Sequence, residues 1–175
     1  MQDIFVAGTE TSFIVLTLAF AEMMKNPHTM ARAQSEVSQV FKGKKKYDED
    51  LEKLTYLNLV VKETLRLHPP APLLLPREYR EQTDINGYTI PLKTSTNHWM
   101  GTHKSQEILK VGMILSFIPE RFENSSIDFI GNHFEFVPFG AGRRMCPGIL
   151  FGLANVTYPQ AQLLFNFNWE IPNET

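Results

Sequence analysis

The chain has one cysteine in 175 residues, and residues 138–148, PFGAGRRMCPG, set it behind two arginines and among glycines. A thiolate is a strong, soft ligand, and its negative sulfur needs amide dipoles or positive charge nearby. Cys146 stands just before Pro147, Gly148 and a run of helical spacing, so amides at a helix N-terminus can face its sulfur. Gly140, Gly142 and Gly148 let the backbone approach a flat, bulky partner. Arg143 and Arg144 can pair with carboxylates on that partner. These features together describe an axial ligand to haem iron, with an arginine for a propionate. A lone cysteine is more often a small buried hydrophobe, but the glycine and arginine flanks favour the ligand.

Two other segments carry side chains able to do chemistry. In AGTETS, residues 7–12, Glu10 and Thr11 follow a turn thinned by Ala7 and Gly8, which leaves room beside a helix axis. An acid next to an alcohol can hold water and pass protons. The plainer alternative is a helical threonine that bonds back to its own carbonyls. Glu63 and Arg66, three apart on one helix face, are close enough to touch, and such a pair by itself is commonplace.

The elements that must position these residues are mostly helices. Helical patterning runs from Asp3 to Lys25 and stops at Asn26-Pro27. Asn26 as N-cap and Pro27 at the first position then open a second helix, ended by Gly43 and Lys44–Lys46, a solvated loop. A third helix covers Tyr56 to Leu67, and Pro69-Pro70 breaks it into an extended stretch over residues 69–76. Asn86-Gly87 between β-formers predicts a hairpin. Residues 95–135 lack periodicity and read as a long irregular connection, and Gly148 to Phe167 returns to helix around Pro159. The predicted class is mainly α with a minor β component.

Composition narrows the function. With 43% apolar residues the chain can bury one sizeable core. A net charge of −2 gives no reason to expect nucleic acid as a partner. One cysteine excludes an intrachain disulfide and any site built from several thiolates. No signal peptide is expected, and the apolar run Phe13–Ala21 is too short to span a bilayer, so it reads as a buried core helix.

On these residues the chain resembles the cytochrome P450 family. FGAGRRMCPG fits the haem-binding signature F-x-x-G-x-R-x-C-x-G at Phe139, Gly142, Arg144, Cys146 and Gly148. AGTETS is similar to the oxygen-activation motif, Glu63–Arg66 to E-x-x-R, and Pro119–Phe122 to P-E-R-F, all in the family's order. The resemblance implies haem b (iron protoporphyrin IX) held by the Cys146 thiolate, whose electron donation favours O–O cleavage. It implies dioxygen activation assisted by Thr11 and Glu10, propionates held by Arg144 and Arg77, and a structural ion network of Glu63, Arg66 and Arg121. Leu73–Leu75 would line an apolar substrate pocket. Residues 1–175 would form a partial domain of that fold, from the oxygen-activation helix to the helix after the cysteine loop, without its N-terminal part. The implied activity is a monooxygenase that inserts one oxygen atom from O2 into a small hydrophobic molecule. Electrons would come from NADPH through NADPH-cytochrome P450 reductase. Likeness to plant microsomal terpenoid hydroxylases implies a terpenoid substrate and the cytosolic face of the endoplasmic reticulum, reached through an anchor this chain lacks.

Two departures from the pattern support a second reading, a truncated or frameshifted remnant that does not enclose haem. Met1 resembles an internal position of the family. Residues 95–118 also lose the likeness while both flanks keep it. Codons TGG GAT GAT CCT GAG spell a typical family stretch, and one base later they read Gly-Met-Ile-Leu, as at Gly112–Leu115. A short frameshifted island and ordinary divergence of a surface meander both account for this.

Overall fold

Met30, Ala33, Val37 and Phe41 recur at helical spacing, and in the computed structural model all four are buried on one face of a helix. The structure describes residues 2–44, 48–96, 115–133 and 136–170. Its helices are α1 (Gln2–Lys25), α2 (Pro27–Phe41), α3 (Thr55–Leu67) and α4 (Ile149–Asn166). Strand β1 (Arg77–Glu78) pairs antiparallel with β4 (Ser95–Thr96), and β2 (Thr83–Ile85) pairs antiparallel with β3 (Tyr88–Ile90). The chain is therefore mainly α with a small β component. Asn86 and Gly87 join β2 to β3 with φ of 49° and 82°, the left-handed pair that a two-residue hairpin turn requires.

Two apolar clusters hold the helices together. One gathers Phe20 and Met23 of α1, Val37 and Phe41 of α2, Leu57 and Val60 of α3, and Leu164 of α4. The other joins Val15, Val61, Leu65 and Val156 to Phe122 and Phe136, and so ties the helices to the segment that leads into the cysteine loop. The N-cap position of α3 is Leu54, whose apolar side chain cannot cap it. Glu36 of α2 does so instead, accepting from Thr55 Oγ1 at 2.9 Å and from the amides of Tyr56 and Leu57 at 2.7 and 2.9 Å.

Several expectations are corrected by the structure. Asn26 makes no side-chain cap to α2; its amide donates to the Glu22 carbonyl at 2.8 Å and closes α1. Phe13–Ala21 is not uniformly buried. Val15, Ala19 and Phe20 are in the core, whereas Phe13 is exposed. Interspersed polar residues do not stop the helix, and Ile4–Lys25 is long and apolar enough, by length and composition, to cross a membrane. Lys44 is not simply solvated, since its Nζ lies 2.6 Å from Asp50. The supposed irregular stretch contains β4 and a 3-10 turn at Pro119–Phe122. The proposed frameshift island lies mostly outside the described residues, which resume at Leu115.

Gln160 of α4 is fully buried, and among the described residues both ends of its side-chain amide lack a hydrogen-bond partner. An unmade bond to a buried amide costs about 1–3 kcal/mol. Gln160→Met, of similar shape, should therefore raise stability by about 1 kcal/mol, read as a higher urea midpoint. An unchanged or lower midpoint would mean that the amide is satisfied in solution.

Candidate functional site

The cysteine loop is a folded unit. The Gly140 amide donates to the Val137 carbonyl at 2.8 Å, Met145 to Gly142 at 3.1 Å, and Cys146 to Phe139 at 2.9 Å. Gly140 and Gly142 take φ of 74° and 69°, where any residue with a Cβ is strained. Phe139 is half-buried, with its ring edge-on to Phe129 at 5.7 Å. That ring anchors the loop to the second core cluster while its carbonyl holds the Cys146 backbone. The Cys146 side chain is exposed. A Cβ added at Gly148 would lie 3.9 Å from Cys146 Sγ, and Gly148 is the N-cap of α4. The sulfur thus sits at the start of a helix, as the spacing suggested. Arg143 and Arg144 are exposed in the 3-10 turn Gly142–Arg144.

Beside this loop, α1 and the first turn of α4 enclose an open cleft of about 570 Å³, lined by Ile4, Phe5, Gly8, Thr9, Ser12, Phe151 and Asn155. A Cβ at Gly8 would come within 3.2 Å of the Phe151 ring, so glycine sets how closely the two helices approach here. Thr11 Oγ1 donates to the Ala7 carbonyl at 2.6 Å and Ser12 Oγ to Gly8 at 2.9 Å. Glu10 is exposed. Neither Glu10, Thr11 nor Cys146 is among the residues lining the cleft. Arg77 stands half-buried in β1, away from the cysteine loop in sequence, with its carbonyl accepting from Thr96 Oγ1 at 3.4 Å.

Glu63, Arg66 and Arg121 are brought together. Glu63 is fully buried. Its carboxylate accepts two bonds from Arg66, at 2.7 and 2.8 Å, one from the Ile118 amide at 2.9 Å and a longer one from Arg121 at 3.5 Å. Arg66 also donates to the Ser116 carbonyl at 3.2 Å. One carboxylate on α3 thus fixes the approach to the Pro119–Phe122 turn, on the chain segment that leads towards the cysteine loop. A bidentate guanidinium gives that junction direction as well as energy.

The neighbouring Glu120 completes a second junction that the sequence did not reveal. It accepts from Tyr56 Oη at 2.8 Å and from Arg32 at 2.9 Å, while the Arg32 guanidinium lies 4.1 Å from the Tyr56 ring centre. Burial, then the bond to Glu120, pushes the Tyr56 hydroxyl up to about 12. Burial raises the Glu120 carboxyl too, but its own backbone amide, Tyr56 and Arg32 outweigh that and leave it below the usual value. Above pH 10 an unfolded tyrosine loses its proton while Tyr56 keeps it, so the folded state is penalised from there to about pH 12. Tyr56→Phe should therefore flatten the loss of stability between about pH 10 and 12, measured by urea titration across that range. An unaltered alkaline slope would contradict this placement.

What the sequence missed are long-range partners: Glu36 for α3, Glu120 for Tyr56, and Glu22, which accepts from His68 Nε2 at 3.0 Å. Only the non-capping Leu54 at the start of a strong helix hints that a cap must come from elsewhere.

A family model for cytochrome P450 matches residues 1–175. The chain is 57% identical over 173 residues to premnaspirodiene oxygenase of Hyoscyamus muticus, which covers 97% of this chain and 34% of that protein. It is 57% identical, with the same coverage, to 5-epiaristolochene 1,3-dihydroxylase of Nicotiana tabacum. It is 54% identical to desmethyl-deoxy-podophyllotoxin synthase of Sinopodophyllum hexandrum, covering 98% of this chain and 34% of that protein. The chain spans about a third of the length of these relatives. The glycine-bearing cysteine loop, the buried Glu63–Arg66 pair and the match along the full sequence have one explanation: the chain belongs to the cytochrome P450 family.

Proposed function

We propose that this chain is the cysteine-bearing part of a haem-thiolate monooxygenase that inserts one oxygen atom from O2 into a small hydrophobic substrate, a terpenoid by its likeness to premnaspirodiene oxygenase and 5-epiaristolochene 1,3-dihydroxylase. The observation that carries this reading is the exposure of Cys146. A cysteine kept for packing is buried, whereas this thiol is exposed beside Gly148, the N-cap of α4. The donor set fits haem b: one soft sulfur, the exposed Arg144 guanidinium for a carboxylate, and left-handed glycines that leave the loop without side-chain bulk.

Bound haem supplies the redox chemistry with dioxygen that no side chain has. The protein's own residues do the rest. Cys146 would hold the metal through its sulfur, at the start of α4. Arg144 and Arg77 pair with propionates. Phe139 and Gly142 fix the loop, and Gly148 leaves the sulfur uncovered. Thr11 Oγ1 turns from the Ala7 carbonyl to pass on a proton, and the exposed Glu10 supports its resupply. Leu73 and Leu75, both exposed, give the substrate an apolar wall. NADPH-cytochrome P450 reductase is the electron donor, and the cytosolic face of the endoplasmic reticulum is the location. Residues 1–175 make up a partial domain of this enzyme.

The test is turnover in microsomes that hold the chain and the reductase, supplied with NADPH, premnaspirodiene or 5-epiaristolochene, and isotopically labelled dioxygen. A product carrying one labelled oxygen atom supports the reading. The exposed first half of α1 favours the second reading, in which the chain by itself does not enclose haem. Haem retention without product, or no retention at all, decides between an idle haem protein and such a remnant.

A further inference from the structure

Lys62 of α3 takes no part in the junctions described above. Its ammonium stands one turn before the Arg66 guanidinium on the same helix, a like-charge spacing that disfavours the helix. The adjacent Glu63 carboxylate is taken up by Arg66, Arg121 and the Ile118 amide. Among the described residues no carboxylate forms an ion pair with Lys62. A half-buried cation in that position needs another source of negative charge.

The segment before the cysteine loop supplies it. Lys62 Nζ lies 5.7 Å from the centre of the Phe129 ring and 5.9 Å from that of Phe122, and it donates to the Ile127 carbonyl at 3.3 Å. Both rings are within reach of cation–π attraction, which strengthens as the cation loses water. The rings then carry the constraint onward. Phe122 meets Phe136 at 5.2 Å, and Phe129 meets Phe139 edge-on at 5.7 Å. The Phe139 carbonyl accepts the Cys146 amide at 2.9 Å. Phe122 and Phe136 are buried in the second core cluster, whereas Phe129 is only half-buried. Phe129 is therefore the ring that depends most on the cation, and it touches Lys62 and Phe139 at once.

We propose that Lys62 is a positioning residue for Cys146: its ammonium pins Phe129, which through Phe139 fixes the backbone of the cysteine. This role rests on the ligand role proposed for Cys146, but the backbone bond it secures can be followed without haem. The test is hydrogen exchange of the Cys146 amide in the full chain, followed by NMR. The Met30 amide, bonded to the Asn26 carbonyl at 3.1 Å at the start of α2, is the internal reference. Lys62→Met keeps an unbranched stem and removes the charge, and it should speed exchange at Cys146 about tenfold relative to Met30. Lys62→Arg, whose guanidinium also stacks on rings, should restore the parent rate. In a Phe129→Leu background, Lys62→Met should lose most of its effect, because the ring it acts through is gone. A parent rate in Lys62→Met, an equal rise at Met30, a failure of arginine to rescue, or an undiminished effect in the leucine background would each overturn the proposal. Haem titration of the same variants keeps the two roles apart: exchange rates as expected in a chain that takes up no haem would remove the ligand role and leave the positioning intact.

Discussion

Replacing Glu63 with alanine lowers the unfolding free energy by about 3–5 kcal/mol, the cost of breaking a buried ion pair by removing one partner. The carboxylate is wholly buried and holds Arg66 through two bonds, the Ile118 amide and Arg121. Without it, two mostly buried guanidinium groups lose the Glu63 carboxylate that pairs with them, and the Ile118 amide loses this acceptor. Glu63→Gln keeps the shape and part of the bonding, so it should fall between parent and alanine. Surface ion pairs elsewhere, such as Lys25–Glu22 with an exposed lysine, should cost less than about 1 kcal/mol when broken. Urea unfolding of these variants checks the ranking. Equal midpoints for Glu63→Ala and the parent would show that the pair does not hold the Pro119–Phe122 turn in place.

Cys146→Ser has the largest expected effect on cofactor binding. The substitution trades a soft sulfur donor for a hard hydroxyl, in a loop whose backbone bonds are untouched. Affinity for haem should fall by more than the 10–100-fold typical of losing a supporting partner around a metal site. Stability should change little, because the side chain is exposed. Haem titration followed by absorbance, alongside urea unfolding, separates the two effects. Undiminished haem affinity would remove Cys146 from the ligand role.

Much of this architecture could be read from the sequence, and the parts that could not share a cause. Helices α2, α3 and α4 lie within a residue or two of their predicted spans, since periodicity and Pro27 are local signals. The Asn86-Gly87 hairpin was legible for the same reason. The cap on α3 from Glu36, the Tyr56–Glu120–Arg32 junction and the Glu22–His68 bond involve groups 19 to 88 positions apart. No local pattern encodes such partners. The pairing of β1 with β4 was missed because two-residue strands carry no alternation to detect. The cysteine loop was legible because glycine, arginine and cysteine have distinct chemical uses at short spacing. The conformation of Thr11 was left open at the sequence level, and its hydroxyl bonds to its own helix.

The most direct measurement is the absorption spectrum of the haem-loaded chain, reduced and exposed to carbon monoxide, alone and with the remaining two-thirds of a relative. A red-shifted thiolate–CO band that disappears in Cys146→Ser is the predicted result. Bound haem whose CO band lacks that shift, or whose spectrum is the same in the serine variant, would contradict the assignment of Cys146 as the iron ligand.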